Sequence, residues 1–382
     1  MTASIDPFKA LAVSTLAHRL KAEGRSVIHM EFGQPSTGAP AAAIAQAHAV
    51  LDIDPMGYWE SPTLKQRIAA HYAEWYGVEV SPARIVLTCG ASPALVLALN
   101  MSFAPGDRVA FARPGYVAYR NTLKALHLVP VELTCGEEER FQLSAKALAA
   151  LDPAPKGVIL ASPANPTGTI IPQAELQAIA DVCRARGITI ISDEIYHGIS
   201  YGMDTPSILT AEPHALVVNS FSKYWSMPGW RLGWLVVPDS GIDAARARMS
   251  NLFLTPPSLA QHTAAVAMDC TADLKANIAT YTRNRELLLA ALPGMGLGRI
   301  APPDGAFYIY ADISEFTDDS MAFCLALLED TGVATAAGVD FDPVEGHHYM
   351  RLSFAVSTPQ IEEAIRLIGP WFAARNRGRR ES

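Results

Sequence analysis

Six short stretches of the chain are almost continuously apolar and rich in β-branched residues: Arg84–Thr88, Arg108–Phe111, Gly157–Ala161, Ile188–Ile191, Ala215–Val218 and Leu232–Val237. Continuous rather than alternating hydrophobicity predicts strands covered on both faces. Between them the period becomes helical. Glu175–Arg186 places Leu176, Ile179 and Cys183 on one stripe, and Gly187 follows as a stop. Ser61-Pro62 reads as a cap followed by a first-turn proline, after which Leu64, Ile68, Tyr72 and Trp75 share one face until Gly77. The alternation predicts an α/β domain with a mostly parallel sheet flanked by helices. Beyond about residue 285 the pattern changes. Strand-like Phe307–Tyr310 and Met350–Phe354 bracket a helix around Met321–Glu329, and a last helix starts near Thr358 with Ile361, Ile365 and Ile368 inward. This part reads as a smaller α+β lobe.

Composition narrows the class. The chain has 382 residues, half of them hydrophobic and 18% charged, with a net charge of −8. The acidic balance argues against a nucleic-acid surface. The basic cluster of residues 375–380 sits at the terminus and is expected to fray in solvent. The run Glu137-Glu-Glu139 reads as a solvated loop. Neither a signal-like apolar core nor a bilayer-length apolar run is found, so no membrane partner is expected. Five scattered cysteines without a Cys-x-x-Cys pair fit a reduced, cytoplasmic protein. His347-His348 lacks an evident carboxylate or cysteine at metal spacing and is read as structural, so no metal is expected.

In open α/β sheets, ligands bind beyond the carboxyl ends of the strands. The residues that follow the strands therefore carry the candidate chemistry. After Thr88 comes Cys89-Gly-Ala-Ser-Pro-Ala94, a small-residue turn into a helix that suits an anion; Gly90, Ala91 and Ser92 are its candidates. After Ala161 comes Ser162-Pro-Ala-Asn-Pro-Thr-Gly168, a rigid loop that presents Asn165. After Ile191 comes Ser192-Asp-Glu-Ile-Tyr196, with a carboxylate at Asp193 and a phenol at Tyr196. The most informative run is Ser220-Phe-Ser-Lys-Tyr-Trp-Ser-Met-Pro-Gly-Trp-Arg231. A lysine forms imines with aldehydes, and an arginine can grip a phosphate. Lys223 and Arg231 together suggest a phosphorylated aldehyde cofactor, pyridoxal phosphate. Arg351 lies inside an apolar strand. An unpaired buried charge is costly there, and a substrate carboxylate would be a natural partner.

With these motifs in this order, the chain resembles the class I/II aminotransferases of the aspartate aminotransferase superfamily, the fold-type I pyridoxal phosphate enzymes. Asn165-Pro-Thr-Gly, Ser192-Asp-Glu-Ile-Tyr, Ser220-Phe-Ser-Lys and Arg231 carry the resemblance, which covers nearly the whole chain. It implies a large cofactor-binding domain over residues 44–285 and a small domain formed by residues 1–43 and 286–382. It implies that Lys223 forms the imine with the cofactor and then moves the proton, and that Asp193 pairs with the pyridine nitrogen. Asn165 and Tyr196 would hydrogen-bond the ring oxygen, and Tyr116, in Arg113-Pro-Gly-Tyr, would stack on the ring. Gly90, Ala91, Ser92, Ser220, Ser222 and Arg231 would form the phosphate cradle. Tyr58 would reach the phosphate of a neighbouring subunit, making the protein a homodimer with shared sites. Gly33 and Arg351 would surround the substrate α-carboxylate.

The implied reaction moves an amino group between an L-amino acid and a 2-oxo acid. No basic side chain for a distal carboxylate is evident, so neutral or aromatic amino acids are expected over aspartate. β-Elimination at a carbon–sulfur bond remains an alternative, because the same residues can run it. A more distant one is a serine hydrolase using Ser92, since Gly90-Ala-Ser-Pro-Ala94 is one residue from a Gly-x-Ser-x-Gly elbow. Ser220-x-x-Lys223 likewise matches one motif of penicillin-binding enzymes, without its companions.

Overall fold

The computed structural model describes Ile5, Pro7 and residues 9–380, and of residues 10 and 376–380 the backbone alone. Twelve strands are present among the described residues: β1 (Ile28–His29), β2 (Ile85–Thr88), β3 (Arg108–Arg113), β4 (Val129–Thr134), β5 (Gly157–Ala161), β6 (Thr189–Asp193), β7 (Leu216–Ser220), β8 (Gly233–Val236), β9 (Tyr308–Asp312), β10 (Val333–Ala334), β11 (Ala336–Ala337) and β12 (Tyr349–Ser353). The main sheet has seven strands in the order β2-β8-β7-β6-β5-β3-β4. Every pairing in it is parallel except those of β8, which runs against β2 and β7. All the other strands therefore end at one edge of the sheet. The residues that precede β8, Arg231 among them, arrive at the same edge.

Both faces of this sheet are covered, as the continuous apolar runs require. Ile191, Val218 and Leu235 face one hydrophobic cluster, while their neighbours Ile190, Val217 and Trp234 face the other. Trp234 is fully buried, and its indole N–H donates to the Tyr72 hydroxyl at 3.1 Å. The helix Pro62–Tyr76 forms as its sequence predicts: the Ser61 hydroxyl accepts from the Leu64 N–H at 3.2 Å, and Gly77 closes it with φ of 66°. Leu64, Ile68 and Tyr72 are fully buried, but Trp75 is 40% exposed. It sits at the rim of the stripe, with its ring 4.3 Å from that of His71.

One strand of the main sheet is not foreseen by its hydrophobic pattern. β4, Val-Pro-Val-Glu-Leu-Thr, is an edge strand paired only with β3, and it is nowhere fully buried. An edge tolerates a proline and a glutamate, which make the segment read as a loop.

The C-terminal part forms a three-stranded antiparallel sheet, β11-β12-β9, packed with the helices Ser320–Thr331 and Thr358–Arg380. Ile361 and Ile368 are fully buried, and Ile365 is partly so. The N-terminal strand β1 joins this region by pairing in parallel with β10. The basic tail continues the backbone of the last helix to Arg380. The side chains of residues 376–380, for which fraying is expected, lie outside the described residues. Glu137, Glu138 and Glu139 are exposed, as expected of a solvated loop.

Replacing Ser61 with Ala removes the cap of the helix that carries Leu64, Ile68 and Tyr72. Denaturant unfolding should show a loss of about 1 kcal/mol.

Candidate active site

The polar strand ends of the main sheet meet β12 and the Glu31–Gln34 segment around a cavity of about 430 Å³. Gly33, Ala91, Ser92, Tyr116, Asn165, Asp193, Tyr196, Ser222, Lys223, Arg231 and Arg351 line it, and all were anticipated from the sequence. Gly90 and Ser220 stand just behind the wall. A Cβ on Gly90 would lie 2.6 Å from the Arg231 guanidinium, so only glycine leaves the arginine its place. Ser220 is fully buried, and its hydroxyl accepts from the Ser222 N–H at 3.0 Å. Tyr58 is not in this cavity; it is 82% exposed.

Asp193 ends β6 as a buried carboxylate. One oxygen accepts from the Tyr119 hydroxyl at 2.6 Å and the other from the Ile195 N–H at 3.2 Å. Burial raises its pKa, although both hydrogen bonds and the charge of Lys223 oppose the rise. Lys223 projects from the loop after β7 and donates to the Gly33 carbonyl at 2.5 Å. Burial, aided by the charges of Arg351 and Arg231 and opposed by Asp193, pulls its amine down to about 8. That is the condition an imine-forming lysine needs, because the neutral amine is the nucleophile.

Arg231 sits in the left-handed region, at φ 53°, and donates to the carbonyls of Pro228 at 2.9 Å and Cys89 at 3.3 Å. It thereby faces the Gly90–Ser92 turn, where the helix Ala91–Ser102 begins. Small residues, exposed N–H groups, the Ser92 hydroxyl and a guanidinium together make an anion cradle. Arg351 is buried. It donates to the Asn165 side-chain oxygen at 2.8 Å and to the Glu31 carbonyl, and its Nε is buried without a partner among the described residues. Its guanidinium lies 4.4 Å from the Tyr308 ring centroid and 4.7 Å from that of Phe341. A guanidinium lying close to two aromatic rings, with donor capacity left over, is suited to a carboxylate.

Several contributors had no motif to announce them. Tyr119 lies three residues after Tyr116 on the helix Val117–Ala125, and the two rings meet edge to face at 5.6 Å. That helical spacing, together with the need of a buried Asp193 for a donor, was the available signal. Tyr308 is fully buried, and its hydroxyl shares a 2.6 Å hydrogen bond with that of Tyr196. A Cβ on Gly33 would fall 1.8 Å from the same Tyr308 hydroxyl, so Gly33 is required by packing as well as by position. Glu31, Asp340 and Phe341 also line the cavity. Only the tertiary fold brings them there.

The hydrolase alternative is not supported by this arrangement. No histidine is among the described residues that line the cavity. His197, close to Asp193 in sequence, instead meets the Tyr76 hydroxyl at 2.7 Å, and burial pushes it down to about 3. Lys223 is bonded to Gly33 rather than to Ser220, so no Ser–Lys pair is assembled. The reading of His347-His348 needs a correction. Glu345 folds back so that its carboxylate and the two imidazoles lie within 4.8 Å of one another, a carboxylate at metal spacing after all. The three-residue turn Gly346–His348 that creates this proximity leaves no mark in the sequence pattern.

The family described as aminotransferase class I and II matches residues 26–368. The chain belongs to this family. It is 46% identical to a valine–pyruvate aminotransferase of Mycobacterium tuberculosis, over 97% of each chain. It is 31% identical to an aspartate aminotransferase of Geobacillus stearothermophilus, over 98% of each. Among solved structures, an aminotransferase from M. tuberculosis superposes with a TM-score of 0.95 at 45% identity, over 97% of this chain and 98% of that one. The aspartate aminotransferase of Thermus thermophilus with maleate superposes with a TM-score of 0.89 at 28% identity, over 96% and 97%.

The protein is thus an aminotransferase of the pyridoxal phosphate-dependent kind. Its cavity fits that cofactor. It offers a lysine for the aldehyde, a carboxylate for the ring nitrogen, an anion cradle for the phosphate and an aromatic wall. An apoenzyme amine at about 8 has a signature. The rate of reconstitution with pyridoxal phosphate should rise about tenfold from pH 7 to 9 and then level off. Stopped-flow absorbance measures it, and a rate still climbing beyond pH 10 would mean an ordinary lysine.

Proposed function

We propose that this aminotransferase exchanges the amino group of a neutral L-amino acid with the oxo group of a neutral 2-oxo acid. The observation that carries this reading is the account of cations. The described lining residues include three, namely Lys223, Arg231 and Arg351. Lys223 is required for the cofactor aldehyde, Arg231 for the phosphate and Arg351 for the α-carboxylate. Within one subunit none of these is left for a distal carboxylate. The name of the M. tuberculosis relative, a valine–pyruvate aminotransferase, supports a neutral donor and a neutral acceptor.

In this reading Asp193, whose carboxylate accepts from the Tyr119 hydroxyl and the Ile195 N–H, would pair with the ring nitrogen. Bound here, pyridoxal phosphate supplies an electron sink for the carbanion left when the α-proton is removed. Lys223 would accept that proton and later donate it, a task suited to an amine pulled down to about 8. Asn165 and Tyr196, which line the cavity, would hold the ring oxygen, and Tyr116 would stack on the ring. Gly90, Ala91, Ser92, Ser220, Ser222 and Arg231 form the phosphate cradle. Gly33 and Arg351 receive the α-carboxylate, with Asn165 orienting the guanidinium.

We further propose a homodimer with shared sites. Tyr58 and Ile53 are each 82% exposed, and Leu252 and Leu254 are 54% and 47% exposed. The Ser258 hydroxyl donates to the Gly57 carbonyl at 2.6 Å, so these two segments are neighbours. Large exposed apolar side chains on two neighbouring segments are what a second subunit would cover. The division into a large domain at 44–285 and a small domain at 1–43 and 286–382 belongs to the same proposal, supported by the separate seven-stranded and three-stranded sheets. So does a reducing, cytoplasmic location, supported by five free cysteines.

A panel of amino acids with pyruvate and with 2-oxoglutarate tests the substrate reading. Alanine, valine, methionine or phenylalanine should exceed aspartate in kcat/KM, with keto acid formed and no ammonia released. Aspartate ahead of all four, or ammonia as the main product, would refute it. Arg351→Ala should raise KM for amino acid and oxo acid alike, by about 100-fold for the loss of a charge-assisted pair worth about 2–3 kcal/mol.

The shared site is tested by mixing. Lys223→Ala and Tyr58→Phe subunits are each impaired alone, but a mixed dimer holds one site with both lesions and one with neither. Activity should therefore return on mixing. Subunits that exchange without restoring activity would eliminate the shared site.

A further inference from the structure

We propose that Glu345, His347 and His348 bind a divalent transition-metal ion of the zinc class. The site is separate from the active-site cavity, whose described lining includes none of the three. Adjacent residues in regular structure point in different directions, so a His-His pair does not by itself make a chelate. Here the turn Gly346–His348 interrupts the regular backbone just before β12, and the two rings come to a centroid separation of 3.9 Å. Glu345 precedes the turn. Its carboxylate and the two imidazoles each place one ligand atom within 4.8 Å of the others. The backbone that carries them is firmly held. A Cβ on Gly346 would fall 2.2 Å from the Gly338 carbonyl oxygen, so the turn packs directly on backbone. The Asp342 carboxylate accepts from the Glu345 N–H at 3.0 Å, and the His348 carbonyl accepts from the Ile313 N–H at 2.7 Å.

The contact that points to a cation lies outside the three. His348 Nε2 meets the Asp318 carboxylate at 3.1 Å. A carboxylate only accepts, so Nε2 carries the proton, and in the neutral ring Nδ1 keeps a lone pair. That Nδ1 lies 3.9 Å from a Glu345 carboxylate oxygen, too far for a hydrogen bond. Two acceptors side by side are satisfied by a cation that both can reach. With bonds of about 2.1 Å, two ligand atoms on one ion can lie up to about 4.2 Å apart, and this pair is already within that span. The Asp318 carboxylate on the far nitrogen is the outer partner that fixes a ligating imidazole and strengthens it as a ligand. Two imidazoles with one carboxylate suit zinc-class ions, whereas Mg2+ prefers oxygen ligands alone. The Glu345 side chain is 56% exposed and free to turn onto the ion, and water can complete the shell.

The test uses untagged, full-length holoenzyme freed of metal by dialysis against a chelator. Zn2+ is titrated in competition with a chromophoric chelator, and Mg2+ serves as the control. The wild type should take up one Zn2+ per chain at this site and show no response to Mg2+. His347→Ala, His348→Ala and Glu345→Ala should each weaken that binding at least tenfold, and Asp318→Asn about tenfold through loss of the outer partner. His348→Gln repeats the test with a side chain of similar size, should the alanine variant fold poorly. Co2+ in place of Zn2+ should give only the weak visible bands of nitrogen and oxygen ligands. An intense near-ultraviolet sulfur band, unchanged in the histidine variants, would mean that cysteines hold the metal and would overturn the inference. So would Zn2+ binding no tighter in the wild type than in a His347→Ala/His348→Ala double variant. Binding that needs the histidines but is unchanged in Glu345→Ala and Asp318→Asn would reduce the site to an adventitious histidine pair and overturn it equally.

Discussion

The direction of the strands in the main sheet is the constraint from which the site follows. Because β8 alone is reversed, the other strands of the seven-stranded sheet end at one edge. Each ends in a short loop whose first polar residues cannot be absorbed into the sheet. Asp193, Asn165, Ser222 and the Gly90–Ser92 turn are neighbours for this reason, although more than 100 positions separate the first and last of them in sequence. The reversed β8 adds Arg231 to the same edge, from the opposite chain direction.

Such a convergence brings charge into a poorly hydrated cavity, and most side-chain contacts around it serve to make that tolerable. Burial raises the pKa of Asp193; the Tyr119 hydroxyl, the Ile195 N–H and the charge of Lys223 act against this. Lys223 is lowered by the burial that raises Asp193, with two arginines adding to the effect. Each group's ionisation therefore depends on its neighbours, and on the groups a cofactor and substrate would bring. Arg351 shows the same economy of partners. It is fixed by Asn165 and Glu31 and lies close to two aromatic rings, yet its Nε has no partner among the described residues.

The site is not the product of one sheet. β12 carries Arg351, β9 carries Tyr308, and the segment after β1 carries Gly33. These strands belong to the C-terminal sheet and to the β1–β10 pair, which joins the N-terminal segment to the C-terminal region. The side expected to receive the substrate thus comes from chain segments at the two ends of the sequence, while the side expected to hold the cofactor comes from the middle.

The sequence by itself determined the class of fold and most of the chemical groups. Both-face burial writes itself as continuous apolar runs, so β2, β3, β5, β6, β7 and β8 were legible. The residues just beyond them could be singled out because polar atoms at the end of a buried strand must have a use. Lys223, Asp193 and Asn165 were singled out in this way, Arg231 by its place in one run with Lys223, and Arg351 because a charge inside an apolar strand needs a partner. The edge strand β4 was not legible, because a half-solvated strand carries no such signature and tolerates Pro130. Only the tertiary structure decided that Tyr119 holds Asp193, that Tyr308 pairs with Tyr196 and packs over Gly33, and that Glu345 faces two imidazoles. It alone brought Asp340 and Leu11 to one wall. Strand periodicity records whether a residue is buried. It does not record which distant residue it meets, because that depends on how separate segments pack, and no local pattern encodes that distance.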